Sequence, residues 1–298
     1  MATIFLTGAT GFVGCHLVPR LLAAGHQVRC LVRSLEKARW LQELGCEITV
    51  GELPAEGITL GKAEIVIHLA ALHRGLTTLL LRTNVTGTAQ LARAAHSSGV
   101  KRIIYLSTVT AAPNPAWPYA YSAWLAERAL QESSVRSTIL RNTVIVGPGD
   151  PFLGSIIRMV RAFPVVPLLG SGRTRFQPIS VFDLVRCILH IVQDEQYPSK
   201  VVAIGGPQVL SYEQIVDMIL EMLRISKRKI SLPRRGTRWC VRGLERLGVH
   251  TPFVPEHFLS IDLVAASTTV IEDEFGFRPQ TLREVLHTIL GEGVASPA

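Results

Sequence analysis

Thr7 to Gly14 reads Thr-Gly-Ala-Thr-Gly-Phe-Val-Gly, with glycines at positions 8, 11 and 14. The apolar run Thr3 to Leu6 precedes it, and the helical pattern Phe12, Val13, Leu17, Leu21, Leu22 follows. Strand, glycine loop and helix in that order form a cradle for a pyrophosphate. Gly8 permits the tight turn, Gly11 lets the backbone approach the anion, and Gly14 lets the helix pack against the sheet. The backbone N–H groups of Thr10, Gly11, Phe12, Val13 and Gly14 and the positive helix end then face the phosphates. These residues are the first candidate dinucleotide contacts.

The second strand, Val28 to Val32, bears on which dinucleotide. NAD enzymes commonly end this strand on an acidic residue that bonds the ribose hydroxyls, whereas here Val32 is followed by Arg33. Arg33, with Lys37 or Arg39 on the next helix, offers charge-assisted hydrogen bonds to a 2′-phosphate, so NADP(H) is expected over NAD(H).

The string Thr7 to Gly14 resembles the short-chain dehydrogenase/reductase superfamily, in its extended and atypical branches. That resemblance implies further contacts. Glu52, in Gly51-Glu52-Leu53, stands where the family places an acidic contact to the adenine amino group. His68-Leu69-Ala70-Ala71 matches the small-residue turn beneath the cofactor. Asn84 matches a structural asparagine, and Ser107 and Tyr119 complete the expected cofactor-binding set. In the resembled enzymes a Tyr four residues before a Lys transfers the proton, helped by a hydroxyl at a strand end. The Lys lowers the tyrosine pKa and anchors the ribose. Tyr119 aligns with that tyrosine, but Ala123 occupies the lysine position and Val109 the hydroxyl position, with Thr108 and Thr110 flanking it. Tyr119 is thus the one catalytic candidate of a degenerate site, and His73 and Arg74, after the fourth strand, are the nearest conceivable substitutes.

The strings starting at Arg173, Gly205 and Glu274 have the look of atypical members, with Asp183 expected to cap a helix. Together with Leu31-Val32-Arg33-Ser34 they resemble the NAD(P)H-binding accessory subunit of respiratory complex I and its bacterial relatives. This implies bound nucleotide in an accessory or sensing role. The alternative is a working reductase, epimerase or dehydratase on a sugar-nucleotide, isoprenoid or quinone-like substrate.

The elements that must hold these residues alternate. Strands are expected at Thr3 to Thr7, Val28 to Val32, Glu47 to Val50, Ile65 to Leu69, Arg102 to Ser107 and Ser137 to Val146, the last closing the sheet. Helices are expected to Ala24, from Leu35, from Thr78 to Ser98 and from Ala120 to Glu132. This is the pattern of an α/β, Rossmann-like doubly wound parallel sheet. Gly147, Pro148 and Gly149 break it, which predicts a dinucleotide domain over 1–150 and a smaller C-terminal substrate-side lobe over 151–298. Val201 to Ile204 is a strand free to return to the first sheet.

With 298 residues, 48% of them hydrophobic, the chain has enough apolar material for a substantial core. Its five cysteines and nine histidines are scattered without metal-ligand spacing, so no metal site or disulfide framework is expected. No apolar run reaches the length of a membrane span and the N-terminus passes straight into a strand, so a cytoplasmic protein is expected. The net charge of +8 suggests anionic partners. Lys227 to Arg246 concentrates it, with Arg235, Arg238, Arg242 and Arg246 at helical spacing. That stretch could meet a protein partner or an anionic membrane surface, such as the inner face of a membrane, or simply present a solvated face or a clamp for a nucleotide-linked substrate. No stacking-aromatic motif accompanies the charge, which argues against nucleic acid.

Overall fold

The computed structural model describes residues 1–54, 57–169, 171–232, 264–265 and 267–291. In chain order the first elements are β1 (Thr3–Thr7), α1 (Phe12–Ala23), β2 (Gln27–Val32), α2 (Leu35–Glu43), β3 (Glu47–Val50) and β4 (Ile65–His68). There follow α3 (Thr77–Leu80), a π-helical segment (Leu81–Thr86), α4 (Gly87–Ser97), β5 (Arg102–Thr108), α5 (Pro118–Gln131) and β6 (Ser137–Asn142). Next come β7 (Ile145–Val146), α6 (Pro151–Ala162), β8 (Val166–Leu169), β9 (Arg175–Phe176) and β10 (Ile179–Ser180). The chain continues through α7 (Val181–Gln193), β11 (Val201–Ile204), β12 (Leu210–Ser211), α8 (Tyr212–Met222) and β13 (Lys229–Leu232), then α9 (Val270–Phe275) and α10 (Leu282–Gly291).

These elements form two compact units. The first comprises Met1–Asn142 with Leu184–Ala203, the second Thr143–Asp183 with the chain from Ile204 onward. A seven-stranded parallel sheet of order β11-β6-β5-β4-β1-β2-β3 organises the first. The order reverses beside β1, so the glycine loop leaves the sheet at the topological switch point, where open α/β sheets bind ligands. Phe5, Val66, Ile103, Tyr105 and Ile139 alternate along their strands and pack on one sheet face with Leu91, Ala92 and Ala95 of α4 and Ala126 and Leu130 of α5. Ile4, Leu6, Ile67 and Ile104, of the opposite parity, are also fully buried. Burial on both faces is why these strands read as continuous apolar runs.

Two expected element boundaries change. Ser137 to Val146 is not one strand: β6 lies in the large sheet, β7 pairs instead with β10, and β11 takes the edge beyond β6. The helix expected over Thr78 to Ser98 is broken by the π-helical turn at Leu81–Thr86. Asn84, within that turn, has its side chain bonded to the backbone of Leu72.

In the second unit, Asp150 caps α6 by accepting from Leu153 N–H at 2.7 Å, and burial pushes its carboxyl up to about 6. Ser211 and Gln214 close a capping box on α8. Asp183 is not the cap of α7. The helix starts ahead of it, and its carboxylate accepts from Gln280 N–H at 2.7 Å. Of the basic stretch, Lys227 donates to the carbonyls of Val160 and Phe163 at the end of α6, and Lys229 pairs with Glu213 and Asp217. Arg235, Arg238, Arg242 and Arg246 lie outside the described residues.

Candidate functional site

β1 ends at Thr7, and Gly8 turns the chain with φ +78°, a conformation that side chains resist. A Cβ on Gly8 would also stand 2.8 Å from Ala70 N. One on Gly14 would stand 2.4 Å from both Ala9 O and Gly8 O, so only glycine lets α1 begin this close to the loop. Gly11 differs, because its backbone is extended and an added Cβ would meet only Gly8 O, at 3.2 Å. No side chain caps α1 and no acidic residue stands in its first turn. Its leading amides therefore keep their attraction for an anion. Thr10 and Gly11 are exposed at the loop tip, Phe12 is half-buried edge-on to His16, and Val13 is buried.

At the end of β2, Val32 is buried and Arg33 exposed. Ser34 Oγ accepts from Lys37 N–H to cap α2, leaving the Lys37 side chain exposed, whereas Arg39 leans on Glu43 at 3.5 Å. Val32 pairs in register with Val50, and Gly51 N–H donates to Val32 O at 2.9 Å. Glu52 thus emerges, exposed, at the strand end that also carries Arg33. Leu53 is half-buried against Gly87, where a Cβ would approach its own to 2.9 Å.

Leu69, Ala70 and Ala71 form a half-buried turn after β4, with Leu69 N–H donating to Thr7 O at 3.1 Å. Asn84 holds its end. Its Oδ1 accepts from Leu72 N–H at 2.7 Å, and its Nδ2 donates to Leu72 O and to Ser122 Oγ, both at 2.9 Å.

Tyr119, Ala123 and Glu127 succeed one another at four-residue spacing on α5 and so share a face. Tyr119 is half-buried, and desolvation raises its phenol above the ordinary range. One turn on, Ala123 is 3% exposed. Two turns on, Glu127 is buried and ion-paired with Arg141 at 2.5 Å. Ser107 donates to the same carboxylate at 2.5 Å, so its hydroxyl is turned into that pair. Thr108 and Thr110 bond each other at 3.0 Å. Val109 is half-buried between them, held by its N–H to Asn142 O. The structure does bring His73 to this site, with its ring centroid 5.0 Å from that of Tyr119. Desolvation and the Arg74 charge lower the His73 pKa.

The sequence reading gave no role to Thr7, Thr88 or Ser122. The one available signal was the four-residue spacing of Asn84 and Thr88, which places them on one helical face.

Comparison with known proteins agrees with this architecture. The chain is 26% identical to NADH dehydrogenase (ubiquinone) 1 alpha subcomplex subunit 9, mitochondrial, of Arabidopsis thaliana, over 98% of this chain and 75% of that protein. It is 34% identical to ceramide reductase of Caulobacter vibrioides over 60% of this chain, and the aligned part spans only 57% of that protein. The solved structure of MoeE5 in complex with UDP-glucose and NAD superimposes with a TM-score of 0.75 at 24% identity, covering 97% of each chain. Residues 4–205 match the model of the NAD dependent epimerase/dehydratase family, and with the glycine cradle at the switch point of a seven-stranded sheet this chain belongs to that family.

Proposed function

We propose that this protein binds NADP(H) without turning it over, in an accessory or sensing role. The observation that carries the reading is apolar packing where proton transfer needs polar groups: Ala123 is buried at the ammonium position and Val109 fills the hydroxyl position. Burial raises the Tyr119 pKa and so keeps the phenol protonated at neutral pH. The 26% identity of this chain to a mitochondrial NADH dehydrogenase subunit supports the accessory role.

In this reading Gly8, Thr10, Gly11, Phe12, Val13 and Gly14 hold the pyrophosphate, and Arg33 and Lys37 take the 2′-phosphate. Glu52 and Leu53 receive the adenine, while Leu69, Ala70, Ala71, Asn84, Ser107 and Tyr119 surround the nicotinamide half. The cofactor would supply a hydride donor or acceptor. The chain's own residues bind and orient it.

The test is purification without added nucleotide, followed by identification of what stays bound and mixing with carbonyl and alcohol panels. Retained NADPH that no panel member oxidises is the expected result. Turnover that disappears in Tyr119→Phe overturns it. His73 favours the competing reading, a reductase with an unusual proton donor, because its ring stands beside Tyr119.

A further inference from the structure

Thr7, His68 and Tyr105 are lateral neighbours on β1, β4 and β5, paired in register and pointing to the sheet face covered by α4. His68 is 1% exposed and its ring stacks on Tyr105 at 5.3 Å. Its Nδ1 lies 2.7 Å from Thr7 Oγ1 and its Nε2 2.9 Å from Thr88 Oγ1. The direction of every proton follows from one fact. Thr88 Oγ1 stands 2.5 Å from Asn84 O, and a carbonyl only accepts. The single Thr88 hydroxyl proton is therefore spent on Asn84 O, and toward His68 that hydroxyl must accept. Nε2 then carries the imidazole proton and Nδ1 is bare, so Thr7 donates to Nδ1. Thr7 Oγ1 is left to accept from Ala70 N–H, at 3.3 Å.

The chain continues beyond Asn84. Its side chain clamps the backbone of Leu72 and donates to Ser122, whose hydroxyl donates to Tyr119 O at 2.8 Å. The Ala70–Leu72 turn is thus held at both ends, by Thr7 and by Asn84, and its first residue, Ala70, packs with Leu69 against Gly8.

We propose that His68 and Thr88 are positioning residues of the dinucleotide cradle: a one-way chain of hydrogen bonds through them fixes the Ala70–Leu72 turn against Gly8 and joins it to the backbone at Tyr119. The inference rests on the cradle reading given above. His68 works only as the neutral Nε2–H tautomer, and its burial, which lowers its pKa to about 4, keeps that form at neutral pH. An imidazolium would present protons on both sides and leave the Thr7 hydroxyl without its acceptor.

The test combines a spectroscopic signature with a conservative rescue. In protein labelled with 15N-histidine, the His68 resonances should report a fixed Nε2–H tautomer from pH 6 to pH 9, and NADPH should shift Nδ1. Thr88→Val, which keeps shape and removes the hydroxyl, should weaken NADPH binding about tenfold, as expected when one buried hydrogen bond is lost. Thr88→Ser should stay within about twofold of wild type. A His68 that is Nδ1-protonated or exchanges between tautomers overturns the proposal, as does Thr88→Val binding like wild type in a folded protein. If Thr88→Val does not fold, the tautomer alone decides. Wild-type protein that binds no dinucleotide, yet shows the fixed tautomer, overturns the cradle reading and with it a cradle role for the chain.

Discussion

The glycine loop and the Tyr119 face occupy the C-terminal side of the same parallel sheet, and they have been treated in opposite ways. At the loop the features that a bound pyrophosphate needs lie in backbone geometry: positive φ at Gly8, a single close neighbour, Gly8 O, for a side chain at Gly11, and close helix approach at Gly14. At Tyr119 the helix and the strand end carry apolar side chains instead, buried Ala123 one turn on and half-buried Val109, and in the proposed reading these stand where proton transfer would need polar groups. Binding depends on the shape of the main chain, and proton transfer depends on two or three side chains. A protein can lose the second and keep the first.

The largest effect that would sharpen this contrast separates two glycines within the loop. Gly14→Val should destabilise the protein by more than about 3 kcal/mol, because two carbonyl oxygens occupy the space of the new side chain and neither can move without the loop. Chemical denaturation measures it. Gly11→Val should cost much less stability than Gly14→Val, since its Cβ meets only Gly8 O at 3.2 Å, and should weaken dinucleotide binding by about 100-fold or more, roughly 2.7 kcal/mol, by calorimetric titration. If Gly11→Val unfolds and Gly14→Val merely loses nucleotide, the division of labour in the loop is the reverse of the one described.

At the Tyr119 face the expected effect is a shift in ionisation. In wild type, ultraviolet difference absorption should show no phenolate from Tyr119 until above the ordinary tyrosine range near 10. The sign follows from burial. A phenol whose folded pKa is raised contributes stability that is present below pH 10 and is lost as pH rises above it. Ala123→Lys should bring the titration down, and only Val109→Ser combined with Ala123→Lys should give measurable hydride turnover. A single Ala123→Lys variant that turns over would mean that Val109 is not in the way.

The smallest effect concerns cofactor choice. Arg33→Asp should move the NADPH to NADH affinity ratio by roughly tenfold toward NADH, the loss of a charge-assisted hydrogen bond with repulsion in its place. An unchanged ratio makes Arg33 an ordinary exposed residue and leaves the cradle indifferent to the 2′-phosphate.

Much of the first unit is legible in sequence because its signals are local. β1 to β5 are short apolar runs between turn residues, and the loop is a contiguous string whose glycines each answer a steric demand. Ala123 and Val109 stand out for a different reason, since only alignment with the resembled family marks their positions as those of a lysine and a hydroxyl. The break in the helix at Leu81–Thr86 is not local. It coincides with Asn84 reaching the backbone of Leu72, twelve residues away in the loop after β4. Likewise β7 has the composition of a continued β6, and only pairing with β10 decides that it leaves the sheet.

The sequence by itself therefore determined the alternation of elements, the phosphate loop and the absence of a lysine after Tyr119, because each is written in residues within a few positions of one another. Tertiary structure alone decided that Thr7, 61 residues from His68, shares a proton with it, that Ser107 faces Glu127, and that His73 stands over Tyr119. Those contacts arise from strand register and from helix packing across the sheet, and neither leaves a periodic trace along the chain. The direction of the protons is decided at the same level, since a hydroxyl with one hydrogen takes its orientation from whichever neighbour can only accept.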